Sequence, residues 1–530
     1  MNVSSKSDIK VTDIRATDPI QLELFTNRFR ALVQDMGEML RRTALSTNVK
    51  ERLDFSCALL DPDGELVVNA PHIPVHLGAI GLCVRRVRDA LSLRPGDVVV
   101  TNHPAYGGSH LPDVTVITPV FMPGGELLGY VANRAHHAEI GGTRPGSMPP
   151  GATCLAEEGV VIAPFRLVDR GEPQWERMRH LLADAPYPSR AVEENLADLR
   201  AAVAANHHGA QALVNLAQKF GAETVRHYMH ALKRYAEGHI RRALQRLPDG
   251  DSLSVEKLDD GTPLQVRLRV SGEEIELDFA GTGGVHPGNL NATPAIVYSV
   301  IIYVLRLLLK EPLPLNEGLL RAVRVHLPRC LLNPDFPDDP TQAPAVVGGN
   351  VETSQRLVDT LLKPLNLAAC SQGTMNNVLF GNDRFGYYET VCGGCGAGPD
   401  FHGASAVHSH MTNTRITDPE ILERRYPVRI ERFAIRRGSG GNGRFRGGDG
   451  VIREFVFLDP MALSVLTQHR IERPYGLHGG KPGQPGRQRV IRHNGETLEL
   501  GPVDGCEVLP GDRLILETPG GGGWGTATKN

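Results

Sequence analysis

Two apolar runs flank a turn-forming pentapeptide, and no other feature constrains this chain as strongly. Residues 114–121 (VTVITPVF) and 127–134 (LLGYVANR) stand either side of MPGGE at 122–126, a spacing that predicts an antiparallel hairpin. A hairpin returns its two ends to one place. His110 and Asp113 precede the first run, and His136 and His137 follow the second, so an imidazole, a carboxylate and a second imidazole are expected to converge. Two histidines and a carboxylate with open positions suit a divalent cation that binds substrate or activates water. Polar loop chemistry at strand ends is the competing reading, and HxxD spacing alone leaves both open.

The rest of the pattern mixes helical and extended segments. Asp18 followed by Pro19 reads as an N-cap and a first helical position. Phe25, Phe29, Leu32, Met36 and Met39 then recur at spacings of three and four, marking one buried face. Residues 48–63 read as a charged turn entering an apolar strand, with 64–69 as its hairpin return, and 93–101 adds a further strand. The alanine-rich stretch 188–247 predicts helix, broken at Gly209 and Gly221. Residues 252–279 alternate as strands, 294–310 read as a buried helix, 330–345 as irregular and 353–365 as helix. Beyond Pro427 short strands are divided by glycine turns, including the glycine-rich stretches 438–450 and 519–525. The expected fold is therefore α+β (mixed α/β). An N-terminal mixed α/β portion bearing the hairpin spans 1–185, a helical segment 186–250, a central α/β portion 251–425 and a β-rich portion 426–530, all working as one unit.

Composition narrows the function classes. At 530 residues, 41% hydrophobic and 22% charged, the chain has the makings of a large globular core. A net charge of -3 offers no basic footprint for nucleic acid. The longest apolar run, 295–305, stops at Arg306 and is too short to cross a bilayer. The polar start MNVSSKSDIKVTDIRATD lacks the apolar core of a signal peptide, and 8 scattered cysteines read as reduced thiols, so a cytoplasmic location is expected. Cys392 and Cys395 form a lone CxxC with no second half to complete a zinc site. No GxxxxGK[ST] occurs, and DFAGTGG at 278–284 imitates one phosphate loop of actin-like ATPases without the second, so no ATP site is expected in this chain.

Other polar positions are candidates. Asp54, in ERLDFS, is either an ion-pair partner for Arg52 or Lys50 or a ligand reaching into the site, and the residues alone favour the ion pair. His72 and His76 are four apart, but Pro74 between them forbids a regular helix carrying both. They would line a pocket from a loop or serve as satisfied structural histidines. SQGTMNN at 371–377 and HSHMTNTR at 408–415 are dense in amide, hydroxyl and imidazole groups that can hold a small polar ligand or simply fix loops. His408 and His410 would share one side of an extended segment.

Taken together, these segments resemble the hydantoinase B/oxoprolinase family from about residue 18 to 525. The matching blocks include STNVKERLDFSCALLDPDGELV, HIPVHLG, TNHPAYGGSHLPDVTVITPVF, RAHHAEIGG, SQGTMNN, HMTNTR, RGSGGNGRFRGGDGVIRE, RPYGLHGGKPG and TPGGGGWG, in one order. The resemblance implies a divalent metal (zinc, manganese or iron) at His110, Asp113 and His136. His137 is a rival for the third place, because adjacent strand residues point to opposite faces. It also implies Asp54 as a further ligand. ATP and Mg are implied to be handled by a separate actin-like A subunit, in a hetero-oligomer with chains of this type.

The implied activity is ATP-dependent opening of a hydantoin or lactam ring. The partner phosphorylates the ring amide oxygen, and the metal site then supplies a hydroxide or polarises the ring carbon for C–N cleavage. In that scheme His137 or His72 shuttles protons, and Asn376, Asn377 and Thr412 orient the ring's polar groups. The alternatives are a subunit of an ATP-dependent ketone carboxylase and a non-catalytic scaffold of the ATPase.

Overall fold

The computed structural model describes residues 18–70 and 73–527. The polar start of the chain and His72 lie outside the described residues. The fold is mixed α/β, and the described residues form four sheets.

The first sheet builds the site. Its strands are β1 (Phe55–Leu60), β2 (Leu66–Asn69), β3 (Val98–Thr101), β4 (Asp113–Phe121), β5 (Leu127–His136), β6 (Phe165–Asp169) and β7 (Glu172–Pro173). They lie in the order β2-β1-β5-β4-β3-β6-β7. The predicted hairpin is β4–β5. Its pairing extends at the open end beyond the apolar runs, by one residue on β4 and two on β5, to Asp113 opposite His136.

Strand alternation assigns the two faces of this sheet. Phe55, Cys57, Leu59, Val114, Val116 and Val131 belong to the core under helix α1 (Pro19–Thr43) and the helix Val192–Phe220. Ala58, Leu60, Ile117, Tyr130 and Ala132 pack with Ile80, Cys83 and Val84 of the helix Ala79–Ala90 on the other face. Helix α1 starts as expected: the Asp18 side chain accepts from Ile20 N at 2.9 Å, with Pro19 at the first helical position. Phe25, Phe29, Leu32 and Met36 are buried along its inner stripe, each contributing about 1.5–3 kcal/mol.

Gly209 does not break the alanine-rich helix. The helix runs unbroken from Val192 to Phe220, and only Gly221, at φ 89°, separates it from the helix Ala222–Leu244. A Cβ at Gly209 would come within 2.3 Å of Met36 Sδ, so this glycine lets α1 approach closely.

The central portion holds a sheet of strands 250–257, 263–271, 274–278 and 323–326, covered by the buried helix Pro294–Leu307 and the helix Ser354–Leu362. A π-type turn, Gly349–Thr353, leads into the latter. Sequence periodicity does not mark it. Such turns recur at functional positions. Two further sheets, of four and five strands, form the C-terminal β-rich layer. Among the described residues, no helix is long and apolar enough to cross a membrane.

Candidate metal centre

Antiparallel register places three polar side chains in one row. Asp113 on β4 pairs with His136 on β5, and the His136 N–H donates to the carbonyl of Asp54, just before β1, at 3.0 Å. Alternation turns the side chains of all three toward the face that carries Tyr130 and Ala132. The loop before β4 folds back through Asp113 N–H donating to His110 O at 3.1 Å, and His110 joins the row. One ligand atom from each of His110, Asp113 and His136 lies within 4.8 Å of the others, and all three residues are buried.

The hydrogen-bond inventory fits a cation. Neither ring nitrogen of His110, nor Nε2 of His136, has a hydrogen-bond partner among the described residues. Buried polar atoms are normally satisfied; His110 Nε2 has only the Asp113 carboxylate, 3.2 Å away, and His136 Nε2 has no partner, a pair of needs that one cation between them would meet. His136 Nδ1 lies 3.2 Å from the carbonyl of His137 and 3.3 Å from Asn48 Nδ2, which fixes the ring with Nε2 directed inward. Tyr388 stacks on the same ring at 4.6 Å between centroids.

Asp113 is the charged centre. Its Oδ2 accepts from Ser109 Oγ at 2.6 Å and lies 3.2 Å from both His76 Nε2 and His110 Nε2. Burial alone would raise its carboxyl, but the facing His110 and His76 overcome that and hold it well below the usual carboxylate range. Burial pushes His136 well below the ordinary imidazole value, against the pull of Asp113. A neutral imidazole is the form able to donate a lone pair to a cation. Burial raises the Asp54 carboxyl, opposed by Arg52 3.9 Å away and reinforced by Asp113. Asp54 thus makes the ion pair that the sequence favoured and also lines the site.

A cavity of about 20 Å³ is lined by Asp54, His76, Asp113, His136, Asn350, Tyr388 and Thr412, and closed by Ile73, Val75, Val351, Met375 and Met411. Of the expected site residues, Asp54, Asp113, His136 and Thr412 line it and His110 adjoins it. His137 does not: its Nδ1 meets Asn195 Nδ2 at 3.0 Å, on the face turned to the helix Val192–Phe220. One step along a strand reverses the side chain.

Asn376 and Asn377 do not reach the cavity either, because their amides are spent within the fold. Asn376 donates to Gln372 Oε1 and Val391 O and accepts from Arg470 at 2.8 Å. Asn377 donates to Glu352 Oε1 and Leu466 O and accepts from the Tyr388 hydroxyl at 2.9 Å. Asn377 therefore touches the site only through the ring that backs His136. His410 adopts φ 53°, which ends the alternation with His408; it meets Asp359 at 3.1 Å, whereas burial and the charge of Arg52 push His408 down to about 4.

Sequence reasoning missed Asn350 and Tyr388 as site residues and left His76 undecided. Asn350 is buried on the π-type turn with an unpartnered Oδ1. His76 ends a short 3-10 turn opened by Pro74, the non-helical path that proline demanded. Its Nδ1 is 2.9 Å from Ser56 Oγ.

Comparison with known proteins identifies relatives of the whole chain. Residues 18–527 match the family described as hydantoinase B/oxoprolinase. "5-oxoprolinase 1" of Arabidopsis thaliana is 44% identical over 549 residues, covering 98% of this chain and 43% of the plant protein. The chain spans less than half the length of that relative. The crystal structure of the ATP-dependent caprolactamase from Pseudomonas jessenii superimposes with a TM-score of 0.87 at 27% identity, covering 96% of this chain and 92% of that one. Nucleotide-free acetone carboxylase shares the fold, with a TM-score of 0.84 at 18% identity over 97% of this chain and 77% of its own.

Proposed function

The chain belongs to the hydantoinase B/oxoprolinase family, and from that premise we propose that it is the metal-bearing B component of an ATP-dependent cyclic amide hydrolase, opening a C–N bond of a hydantoin or lactam. The observation that carries this reading is the buried group His110, Asp113 and His136 with its unpartnered nitrogens. A divalent cation held there (zinc, manganese or iron) would supply Lewis acidity and water of lowered pKa.

The chain's own residues do the rest. Asp54, its carboxyl raised by burial, takes a proton from attacking water and returns it to the departing ring nitrogen. Asn350 Oδ1 accepts from a ring N–H, and the Thr412 hydroxyl orients a ring carbonyl. Tyr388 holds the His136 ring in place by stacking. The cavity of about 20 Å³ has room for roughly one water and not for a ring. Substrate entry therefore moves the lining, for which Met375 and Met411, unbranched and rotatable, are suited.

An unstrained amide carbonyl is a poor electrophile, so the ring needs prior activation. We assign that step to an actin-like ATPase of the A type, which uses ATP and Mg on the ring oxygen. The ATP dependence named for the caprolactamase supports the assignment, as does its chain of comparable length. The cavity draws Asp54 from the N-terminal portion and Asn350, Tyr388 and Thr412 from the central one, which supports reading the expected portions as one working unit.

The acetone carboxylase fold keeps ketone carboxylation as the second reading, but the higher identity to an oxoprolinase and a lactamase favours hydrolysis. A panel of cyclic amides and ketones, offered to the reconstituted A–B complex with ADP release as readout, decides between them. Ring opening without bicarbonate is expected. Bicarbonate-dependent turnover of ketones, or full activity of the A partner alone, contradicts the proposal.

A further inference from the structure

A second group of ligand-type side chains lies apart from the first centre. The helix Ser354–Leu362 supplies Asp359, the segment after it Cys370, and the segment after the strand Met461–Leu466 supplies His469. One ligand atom from each lies within 4.8 Å of the others, and all three residues are buried. A third such group, Asp61, Asp63 and His230, is partly exposed, and its Asp61 is already neutralised by the buried Lys233.

In the buried group no lysine among the described residues pairs with the carboxylate, and its ion-pair partner is the imidazole of His410. Asp359 Oδ1 accepts from Ser371 N–H at 3.1 Å and lies 3.1 Å from His410 Nε2, whereas Oδ2 has no hydrogen-bond partner among the described residues. The Cys370 thiol beside it is at most a weak donor, so this buried carboxylate is poorly compensated, and a cation would compensate it. Cys370 Sγ is 3.4 Å from His469 Nε2. Gly373, at φ 58°, keeps the space beside them clear: a Cβ there would come within 2.5 Å of the His469 ring and 3.1 Å of Asp359 Oδ2.

We propose that Asp359, Cys370 and His469 form a second, structural metal site for a borderline-soft divalent cation of the zinc type. Thiolate, imidazole and carboxylate together select zinc-like ions over magnesium, calcium or manganese. Binding releases the Cys370 thiol proton to solvent, and thiolate plus carboxylate then balance the charge of the ion. On the far edge of the His469 ring, Nδ1 meets both the Glu472 carbonyl (2.6 Å) and an Arg356 N–H (2.7 Å). The Arg356 N–H can only donate and the Glu472 carbonyl only accept, so the two contacts demand opposite tautomers; a cation at Nε2 would select the one whose Nδ1 donates to Glu472 and would release the Arg356 contact.

The same three groups do not make a nucleophile. Burial pushes the Cys370 thiol well above its ordinary value, the Asp359 charge adds to that, and the residue is fully enclosed. The ion would instead tie the helix Ser354–Leu362 to the segments that carry Asn376 and Arg470. This site is independent of the function assigned to the first centre.

The full-length chain, produced with cobalt(II) as the only added transition metal, tests it. Wild type and His136→Ala are both expected to display a thiolate-to-cobalt charge-transfer band, and Cys370→Ser to lose it. Zinc analysis is expected to find one equivalent fewer in Cys370→Ser and that equivalent retained in His136→Ala. Cobalt binding by wild type without a thiolate band overturns the proposal, as does a band that survives in Cys370→Ser. If Cys370→Ser fails to fold, as judged by circular dichroism, the spectra of wild type and His136→Ala decide alone.

Discussion

Asp113 and His136 face each other as register partners at the open end of the β4–β5 hairpin, on the same side of the sheet. His137 follows immediately and turns to the opposite face, where Asn195 receives it. Replacement should separate the two. His136→Ala is expected to lower metal affinity by more than about a hundredfold, and His137→Ala to leave it within about tenfold while reducing stability. Competition with a chromophoric chelator reads the first effect and urea unfolding the second. Equal metal loss in both variants would contradict the face assignment.

Tyr388→Phe keeps the ring stacked on His136 but strands Asn377 Oδ1. Unfolding free energy should fall by about 1–3 kcal/mol, with metal affinity nearly unchanged. A large drop in metal affinity would mean that the hydroxyl, not the ring face, is what matters.

Gly209→Ala opposes two effects. Alanine gains about 1 kcal/mol of helix propensity, but its methyl overlaps Met36 Sδ at 2.3 Å. Overpacking of about 1–3 kcal/mol wins, so the variant is less stable in urea. In a Met36→Ala background the same change should become neutral or stabilising, and a penalty unaltered by that background would rule out the contact as its cause.

Glu158 predicts a pH effect. Burial raises its carboxyl to about 8, even though Oε1 accepts from Val346 and Val347 N–H. A folded-state value above the unfolded one favours the protonated folded form. Its stability contribution is complete below the unfolded value and is lost as pH rises toward about 8. Glu158→Gln should therefore gain on wild type by up to a few kcal/mol as pH climbs through that window. Melting temperatures measured at several pH values check it, and a gap that stays constant or narrows as pH rises would count against the assignment.

The hairpin and the first helix were legible because local signals state them: MPGGE between two apolar runs, and Asp18-Pro19 before a three-four repeat. That His110 and Asp113 would lie beside one of His136 and His137 was legible from hairpin closure; that they hold a metal was implied by the family resemblance. Which of the two histidines joins them depends on the sheet face, and that is set by packing of helices remote in sequence. Asn350 and Tyr388 were hidden for a related reason. They arrive from the central portion through tertiary contact, and a π-type turn has no periodicity to read. Asn376 and Asn377 looked like ligand-binding amides because composition shows the groups and not their partners. Gly209 was read as a break because glycine in a helix has two uses, and only the distance to Met36 tells them apart.

The central claim is that a cation at His110, Asp113 and His136 is required for ring opening. Its most direct test is ATP-coupled hydrolysis of a cyclic amide by the A–B complex assembled with His110→Ala, confirmed as folded. Ring opening should fall by more than about a hundredfold, and added zinc or manganese should not restore it. A complex that keeps wild-type ring opening would contradict the account.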